Sequence, residues 1–178
     1  MGVRHRVLSV AVAVAMAAGV MGAAAVPASA GESPWIAYEQ SDARVPAARS
    51  TCSFDVQQTV VEDGEYYKNT EFYADGTVKT QLWRGPLVMR YTNLSTGASV
   101  VRDLSAMATA HYRPDGSMES MTSQHGAFGA TMPAGSQPAT GLFVLSGHGT
   151  TLTLNPDGTR AFTLGPQGTA ENVCETID

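Results

Sequence analysis

A run of alternating side chains in the middle of the chain, residues 87–104, predicts a β-hairpin. Leu87, Met89 and Tyr91 alternate with Val, Arg and Thr, which is the period of two that a pleated strand imposes. The polar segment that follows contains Gly97, and it can make the turn because glycine adopts positive φ without steric cost. The return segment alternates in the same way, so we expect two paired antiparallel strands.

The rest of the chain repeats this plan of short strand, glycine turn and short strand. Three Asp-Gly turns, at 75–76, 115–116 and 157–158, each separate two alternating segments. The segment Gly141–Ser146 is apolar at successive positions, so we expect a strand that is covered on both faces. The segment Gly126–Pro138 is rich in Gly, Pro, Ala and Ser, and it is predicted to be the longest loop.

These strands predict an all-β protein, and specifically a small antiparallel β-barrel of about 8–10 strands, since closure removes exposed sheet edges. A β-sandwich is an alternative with the same strand pattern. A threefold β-trefoil is the other alternative, because the three Asp-Gly turns are 40 and 42 residues apart. The triplet Gln81-Leu82-Trp83 matches the Q-x-W signature of trefoil lectins, although it occurs only once.

Residues 1–30 have the layout of a secretory signal peptide. A basic head with Arg4 and Arg6 precedes the apolar run Val7–Val26, and Ala28-Ser29-Ala30 matches an A-x-A cleavage site. We prefer this interpretation to a transmembrane anchor because the run is rich in alanine and only weakly hydrophobic. Cleavage there would leave 148 of the 178 residues, a size typical of one domain.

Within the mature part we expect a flexible arm at residues 31–50 and a single barrel domain at residues 51–178. The arm contains prolines and scattered charges and shows no sustained period. Without the two leader arginines, nine basic and 16 acidic residues remain, a net charge of −7. Since this part of the sequence has no basic cluster, neither nucleic acid nor an anionic membrane is an expected partner. The protein is expected to be secreted, with no stable membrane anchor after cleavage.

Two cysteines, Cys52 and Cys174, lie near the two ends of the predicted domain. An even number of cysteines in an exported chain favours a disulfide bond, which would tie the first strand to the last. Neither residue belongs to a C-x-x-C pair, so a redox or zinc role has no support.

Candidate pocket residues are two aromatic residues and two histidines. Trp83 and Tyr91 lie in neighbouring predicted strands, where they could line a pocket or cap the core. His111 stands near a strand end, and His148 would continue an inward-facing row of the strand Gly141–Ser146 towards the mouth of a barrel. An apolar set typical of core filling or of adaptable ligand contact comprises Met107, Met118, Met121, Met132 and Phe128.

No motif specifies a reaction. The histidines have no partners at metal-binding spacing, and the sequence lacks a G-x-S-x-G elbow, a P-loop and a dinucleotide fingerprint. Glu62, Asp63 and Glu65 are interpreted as a solvated turn rather than a calcium site. We therefore expect no cofactor and no metal, and we rank an enzyme that uses His111 or His148 below a binding protein.

Three segments resemble those of a group of small secreted actinobacterial proteins of unknown function. They are Cys52-Ser53-Phe54-Asp55-Val56, the T-N-x-x-T-G-x-S-V pattern at residues 92–100, and Pro156-Asp157-Gly158-Thr159. The resemblance covers roughly residues 52–174 and implies one β-barrel domain behind a signal peptide. Because these motifs are structural, the resemblance implies no catalytic residue.

The favoured functional hypothesis is a secreted protein that binds a small apolar or amphipathic molecule inside its barrel, in the broad manner of lipocalins. The alternative is an extracellular module that recognises a protein or a glycan through the loop at Gly126–Pro138. A cofactor-free barrel enzyme is the third hypothesis.

Overall fold

A computed structural model describes residues 33–49 and 51–178, so the leader expected at residues 1–30 lies outside the described residues. The described residues contain thirteen strands and two short helices, and the all-β class is confirmed. The strands are β1 (Ile36–Ala37), β2 (Ala43–Val45), β3 (Val56–Asp63), β4 (Tyr66–Phe72), β5 (Val78–Gly85), β6 (Leu87–Asn93), β7 (Ser99–Asp103), β8 (Ala106–Tyr112), β9 (Met118–Met132), β10 (Gly141–Ser146), β11 (Thr151–Leu154), β12 (Arg160–Thr163) and β13 (Thr169–Asn172). The helices are a 3₁₀ helix (Ala47–Arg49) and α1 (Val173–Thr176).

The strands form two antiparallel sheets. The larger sheet has the order β1-β4-β5-β8-β9-β10-β13, with β11 pairing with β9 and β12 pairing with β11. The smaller sheet has the order β2-β3-β6-β7. Among the described strands these ladders do not join into a closed ring. The three Asp-Gly turns close the hairpins β4–β5, β8–β9 and β11–β12 of the larger sheet, so their spacing needs no trefoil to explain it.

Two predicted elements, the central hairpin and the strand Gly141–Ser146, are found at the predicted residues. The hairpin at residues 87–104 is β6 and β7, and its turn contains Gly97 at a φ of +79°. The strand Gly141–Ser146 is β10, and its first five residues are buried. Leu142 and Val144 point into one hydrophobic cluster, whereas Phe143 and Leu145 point into another, so both faces of β10 are covered.

A flexible arm is expected at residues 31–50. Its described part, residues 33–49, is instead docked on the domain. β1 pairs with β4, and β2 pairs with β3, at the open edges of the two sheets. Asp42 accepts a hydrogen bond of 2.8 Å from the backbone of Val60, and Arg44 forms an ion pair with Asp55. These strands are two and three residues long, too short for an alternating pattern to reveal them.

The loop expected at Gly126–Pro138 is wrong over its first half, because β9 continues through it as far as Met132. Gly126 takes a φ of +81°, which lets the strand bend without ending. Gly129 lies where a β-carbon would come 3.2 Å from the Tyr91 hydroxyl, so a small residue suits this close approach. The small residues that suggest a loop here make room for close packing. The strand is visible in its alternating buried residues, Phe128, Ala130 and Met132.

The chain passes from one sheet to the other at a line of close backbone contacts. We call this line the crease and define it by Gly64, Gly85, Ser105 and Gly126. The chain crosses it between β3 and β4, between β5 and β6 and between β7 and β8, and β9 bends there. The Gly64 amide donates to the carbonyl of Pro86 at 2.9 Å. A β-carbon on Gly85 would overlap the Gly64 carbonyl, and one on Gly126 would overlap the Ser105 carbonyl.

The two ends of the domain are joined by a disulfide and by a buried amide. Cys52 and Cys174 are bonded, with Cα atoms 5.5 Å apart, and they join the segment before β3 to α1 rather than to a last strand. The Asn93 side chain, 1 % exposed, donates to the Ile177 carbonyl at 3.0 Å and accepts from the Ser95 amide at 2.8 Å. The C-terminal segment is therefore anchored to the central hairpin.

Replacing both cysteines by alanine is expected to lower the free energy of unfolding by about 2–5 kcal/mol, because the bond closes a loop with a separation of 122 residues. Urea denaturation of wild type and of the double variant measures the difference. A reducing agent should shift the midpoint of the wild type and leave that of the variant in place. Equal stability of the two proteins would contradict the assigned bond.

The crease predicts a difference between two glycines with the same φ of +81°, Gly126 and Gly116. Gly116→Ala adds a methyl group in open space, so it should cost only the left-handed backbone conformation, about 1–2 kcal/mol. Gly126→Ala also forces two backbone segments apart, and its cost should exceed that of Gly116→Ala by about 1–3 kcal/mol. Urea midpoints of the two variants test this, and equal losses would argue against a steric crease.

Candidate functional site

A cavity of about 260 Å³ lies beside the crease, on the inner face of the larger sheet, and we call it the aromatic cavity. Cross-strand pairing places Tyr67, Trp83 and Ala108 side by side on this face, since directly opposed residues of antiparallel strands point the same way. The lining residues are Tyr38, Gln40, Glu65, Trp83, Arg84, Leu87, Leu104, Ala106, Ala108, Met118, Met121, Phe128 and Gly129. Most of the wall is thus apolar, with polar groups concentrated at one end.

Trp83 is held in one orientation by a polar network. Its indole Nε1 donates to the Gln81 Oε1 at 3.1 Å, and the Tyr112 hydroxyl donates to the same oxygen. Gln81 in turn donates to the Asn69 Oδ1 at 2.8 Å. Gln81 and Trp83 are two residues apart and share one face of β5, which explains the Q-x-W triplet without a lectin repeat.

The N-terminal segment forms one wall of the aromatic cavity. The Tyr38 and Trp83 rings form a T-shaped contact at a centroid distance of 5.1 Å. The Tyr67 ring also packs on Trp83, at a centroid distance of 5.3 Å. The Tyr38 amide donates to the Glu65 carbonyl at 2.9 Å, and the Gln40 amide donates to Asp63 Oδ2 at 2.6 Å. Backbone contacts of residues 38–40 therefore position these two side chains over the cavity.

Glu65 is half-buried at the polar end of the aromatic cavity. Its carboxyl group receives no hydrogen bond from the described part of the chain. Burial, and then the negative charge of Asp63, raise the pKa of Glu65 to about 7. The solvated turn expected for Glu62, Asp63 and Glu65 is therefore wrong for Glu65, which titrates close to neutral pH.

A second cavity, of about 140 Å³, adjoins the first and contains the other predicted aromatic residue, so we call it the Tyr91 cavity. Tyr91 is 3 % exposed, and burial raises the pKa of its hydroxyl to about 12. Its hydroxyl therefore stays protonated at neutral pH. The two cavities share the lining residues Gln40, Leu87, Leu104 and Gly129.

The structure places two of the four candidate pocket residues on these cavities and two elsewhere. Trp83 lines the aromatic cavity, and Tyr91 lines the Tyr91 cavity. His111 is exposed on the outer face of the larger sheet, where its Nδ1 lies 3.3 Å from Thr80 Oγ1, and His148 is exposed in the loop after β10. His111 and His148 therefore lie outside the lining of both cavities.

The methionines divide in the same way. Met118 and Met121 line the aromatic cavity with Phe128, Met132 is fully buried in the core, and Met107 is exposed on the outer face. Sequence reasoning missed Tyr38, Gln40 and Glu65. The first two lie in the segment taken for a free arm, and Glu65 lies in a turn whose burial depends on that segment.

Residues 33–49 and 51–178 contain no cluster of three His, Cys, Asp or Glu side chains able to hold a metal ion. None of their helices has the length and apolar character needed to cross a bilayer.

The described residues define an all-β protein with two antiparallel sheets and, beside the crease, the two cavities described above. Compared with models of known families, with curated proteins and with solved structures, the chain matches none. Functional inference therefore starts from the site itself.

The raised pKa of Glu65 predicts a pH-dependent contribution to stability. Since the folded state favours the protonated carboxyl, this contribution is complete below about pH 4.5 and is lost as the pH rises through about 7. In Glu65→Gln the loss should be absent, so the variant should gain stability relative to wild type between pH 5 and pH 8. Urea midpoints at these two pH values measure it. Glu62→Gln, at an exposed position on β3, is the control and should follow the wild type. A parallel pH trend in wild type and Glu65→Gln would contradict the assignment.

Proposed function

We propose that the protein is an exported binding protein that takes up a small amphipathic molecule in the aromatic cavity. The observation that carries the proposal is the lining of this cavity, an apolar wall of Met, Phe, Leu and Ala with a few polar groups at one end. Cavities of this composition bind small organic molecules, because the wall accepts an apolar body and the polar groups fix its orientation. Trp83, held by Gln81, supplies a preorganised aromatic surface.

The volume supports a small ligand. The aromatic cavity, at about 260 Å³, lies just below the range of about 300–1,000 Å³ that is usual for ligand pockets. The Tyr91 cavity adds space on the far side of their shared wall. A compact aromatic molecule suits this volume better than a long lipid chain.

The sequence predicts a closed barrel, and we propose that side chains rather than backbone pairing close it. Arg102 of β7 and Glu171 of β13 form a two-pronged ion pair, with Nε–Oε2 and Nη2–Oε1 distances of 2.6 Å. The pair bridges the last strand of the smaller sheet and the last strand of the larger one. We infer that it closes the wall where no ladder does, and it is partly shielded from solvent.

Export is supported by the leader pattern at residues 1–30 and by the disulfide, since such bonds persist in oxidising surroundings. The competing hypotheses have less support. The protein- or glycan-binding module depended on a long loop at Gly126–Pro138, half of which is strand β9. The enzyme hypothesis depended on His111 and His148, which lie outside both cavities.

The neutral fluorescent probe N-phenyl-1-naphthylamine is expected to bind the wild type, with enhanced emission and energy transfer from the two tryptophans. Ala108→Leu should weaken this binding at least tenfold, because Ala108 is 2 % exposed and its methyl group borders the cavity beside Trp83. Fluorescence titration measures both affinities.

The control is Thr109→Leu, which adds a leucine to the next position of β8 on the opposite face of the sheet. It should leave probe binding unchanged. If Ala108→Leu does not fold, Ala106→Leu, at a less buried position of the same wall, replaces it. Equal probe affinity in wild type and in the filled cavity would remove the proposal.

A further inference from the structure

We infer that the ligand of the aromatic cavity is an organic cation, whose ammonium group lies against the Glu65 carboxyl and beside the rings of Tyr38 and Trp83. This inference rests on the proposed function and specifies the chemical class of ligand for the same site. It draws on three separate features of the polar end of the cavity: an unpartnered carboxyl, neighbouring aromatic side chains and the sign of the neighbouring charges.

The first feature is that the half-buried carboxyl of Glu65 has no hydrogen-bond partner among the described residues, whereas the nearby carboxylates of Asp63 and Asp55 have one. Asp63 accepts from the amides of Gln40 and Glu65, and Asp55 accepts from the amide of Ala47 and pairs with Arg44. A half-buried carboxylate without a donor is unfavourable, because it loses water and gains nothing in exchange. A bound cation would supply the missing partner.

The second feature is the aromatic surface beside this carboxyl. Trp83 is fixed by its hydrogen bond to Gln81, and Tyr38 meets it edge-on, so aromatic surface is presented to the cavity without reorganisation. Cations are attracted to the faces of such rings, most strongly to tryptophan. The chain itself makes this contact nearby, where the Arg84 guanidinium lies 3.9 Å from the centre of the Trp35 ring.

The third feature is the set of charges that face Glu65. From β3, Asp63 contributes a negative charge close enough to raise the pKa of Glu65. From β5, Arg84 is the cationic residue among those that line the cavity, and its guanidinium is stacked on Trp35. From β4, Lys68 is 9 % exposed, and its ammonium lies 5.9 Å from the centre of the same ring, outside the cavity lining. The segment before β2 contributes Tyr38 and Gln40, and β8 and β9 contribute uncharged side chains. The carboxylates at this end therefore favour a positive ligand group and oppose a negative one.

The experiment compares two probes of the same shape. One is the trimethylammonium derivative of tyramine, whose charge is permanent, and the other is 4-(3,3-dimethylbutyl)phenol, in which carbon replaces the nitrogen. Calorimetric titration of the wild type at pH 8 should give about tenfold tighter binding of the cation, the size of one favourable charge contact. Glu65→Gln should abolish this preference, so that the variant binds the two probes with equal affinity. Glu62→Gln is the matched control and should behave as wild type.

A second measurement does not depend on any variant. Because Glu65 is half ionised at about pH 7, the preference of the wild type for the cation should grow between pH 6 and pH 8. Neither probe changes its own charge in this range, so the neutral probe should show no such trend.

Four outcomes would overturn the inference. If both probes bind the wild type equally well, the cavity binds small molecules without selecting a cation, and the proposed function stands alone. If Glu65→Gln keeps the preference of the wild type, a group other than Glu65 selects the cation. A preference that does not change between pH 6 and pH 8 would assign selection to a group other than Glu65. If neither probe binds and N-phenyl-1-naphthylamine also fails to bind, the proposed function falls and the inference with it.

Discussion

Close approach of backbone to backbone along the crease is the constraint on which the rest of this structure depends. At Gly85 and Gly126 the neighbouring carbonyl oxygens occupy the space that a β-carbon would need. Only glycine permits that contact, and the contact lets the chain leave one sheet and enter the other while the Gly64 amide stays paired with the Pro86 carbonyl. The bend is what gives the larger sheet an inner face, and both cavities lie beside it.

The open end of this folded strip is held by three different kinds of interaction. A covalent bond joins Cys52 to Cys174, a buried amide joins Asn93 to Ile177, and an ion pair joins Arg102 to Glu171. The first two lie beside the main hydrophobic cluster, where Val56, Val173 and Ile177 are almost completely buried. The cavities therefore lie in a body whose two ends cannot separate easily.

Local alternation predicted the elements whose faces are defined by near neighbours, and it failed where distant contacts decide. The polar–apolar alternation of residues 87–104 predicts the central hairpin, and the unbroken apolar run Gly141–Ser146 predicts β10. The small residues in the second half of β9 predict a loop. In the structure Gly129 instead leaves room for the Tyr91 hydroxyl. Trp83 and Tyr91 were found by residue type, whereas Glu65 became a candidate only once Tyr38 and Gln40 were seen beside it.

The wall formed by residues 38–40 is attached far more weakly than the body that it covers. It is held by a two-residue strand and two further backbone hydrogen bonds, whereas the opposite wall belongs to the interior of a nine-stranded sheet. Local opening of so short a segment costs much less free energy than global unfolding. Local opening of residues 38–40 is therefore the least costly route by which the proposed ligand would reach the aromatic cavity.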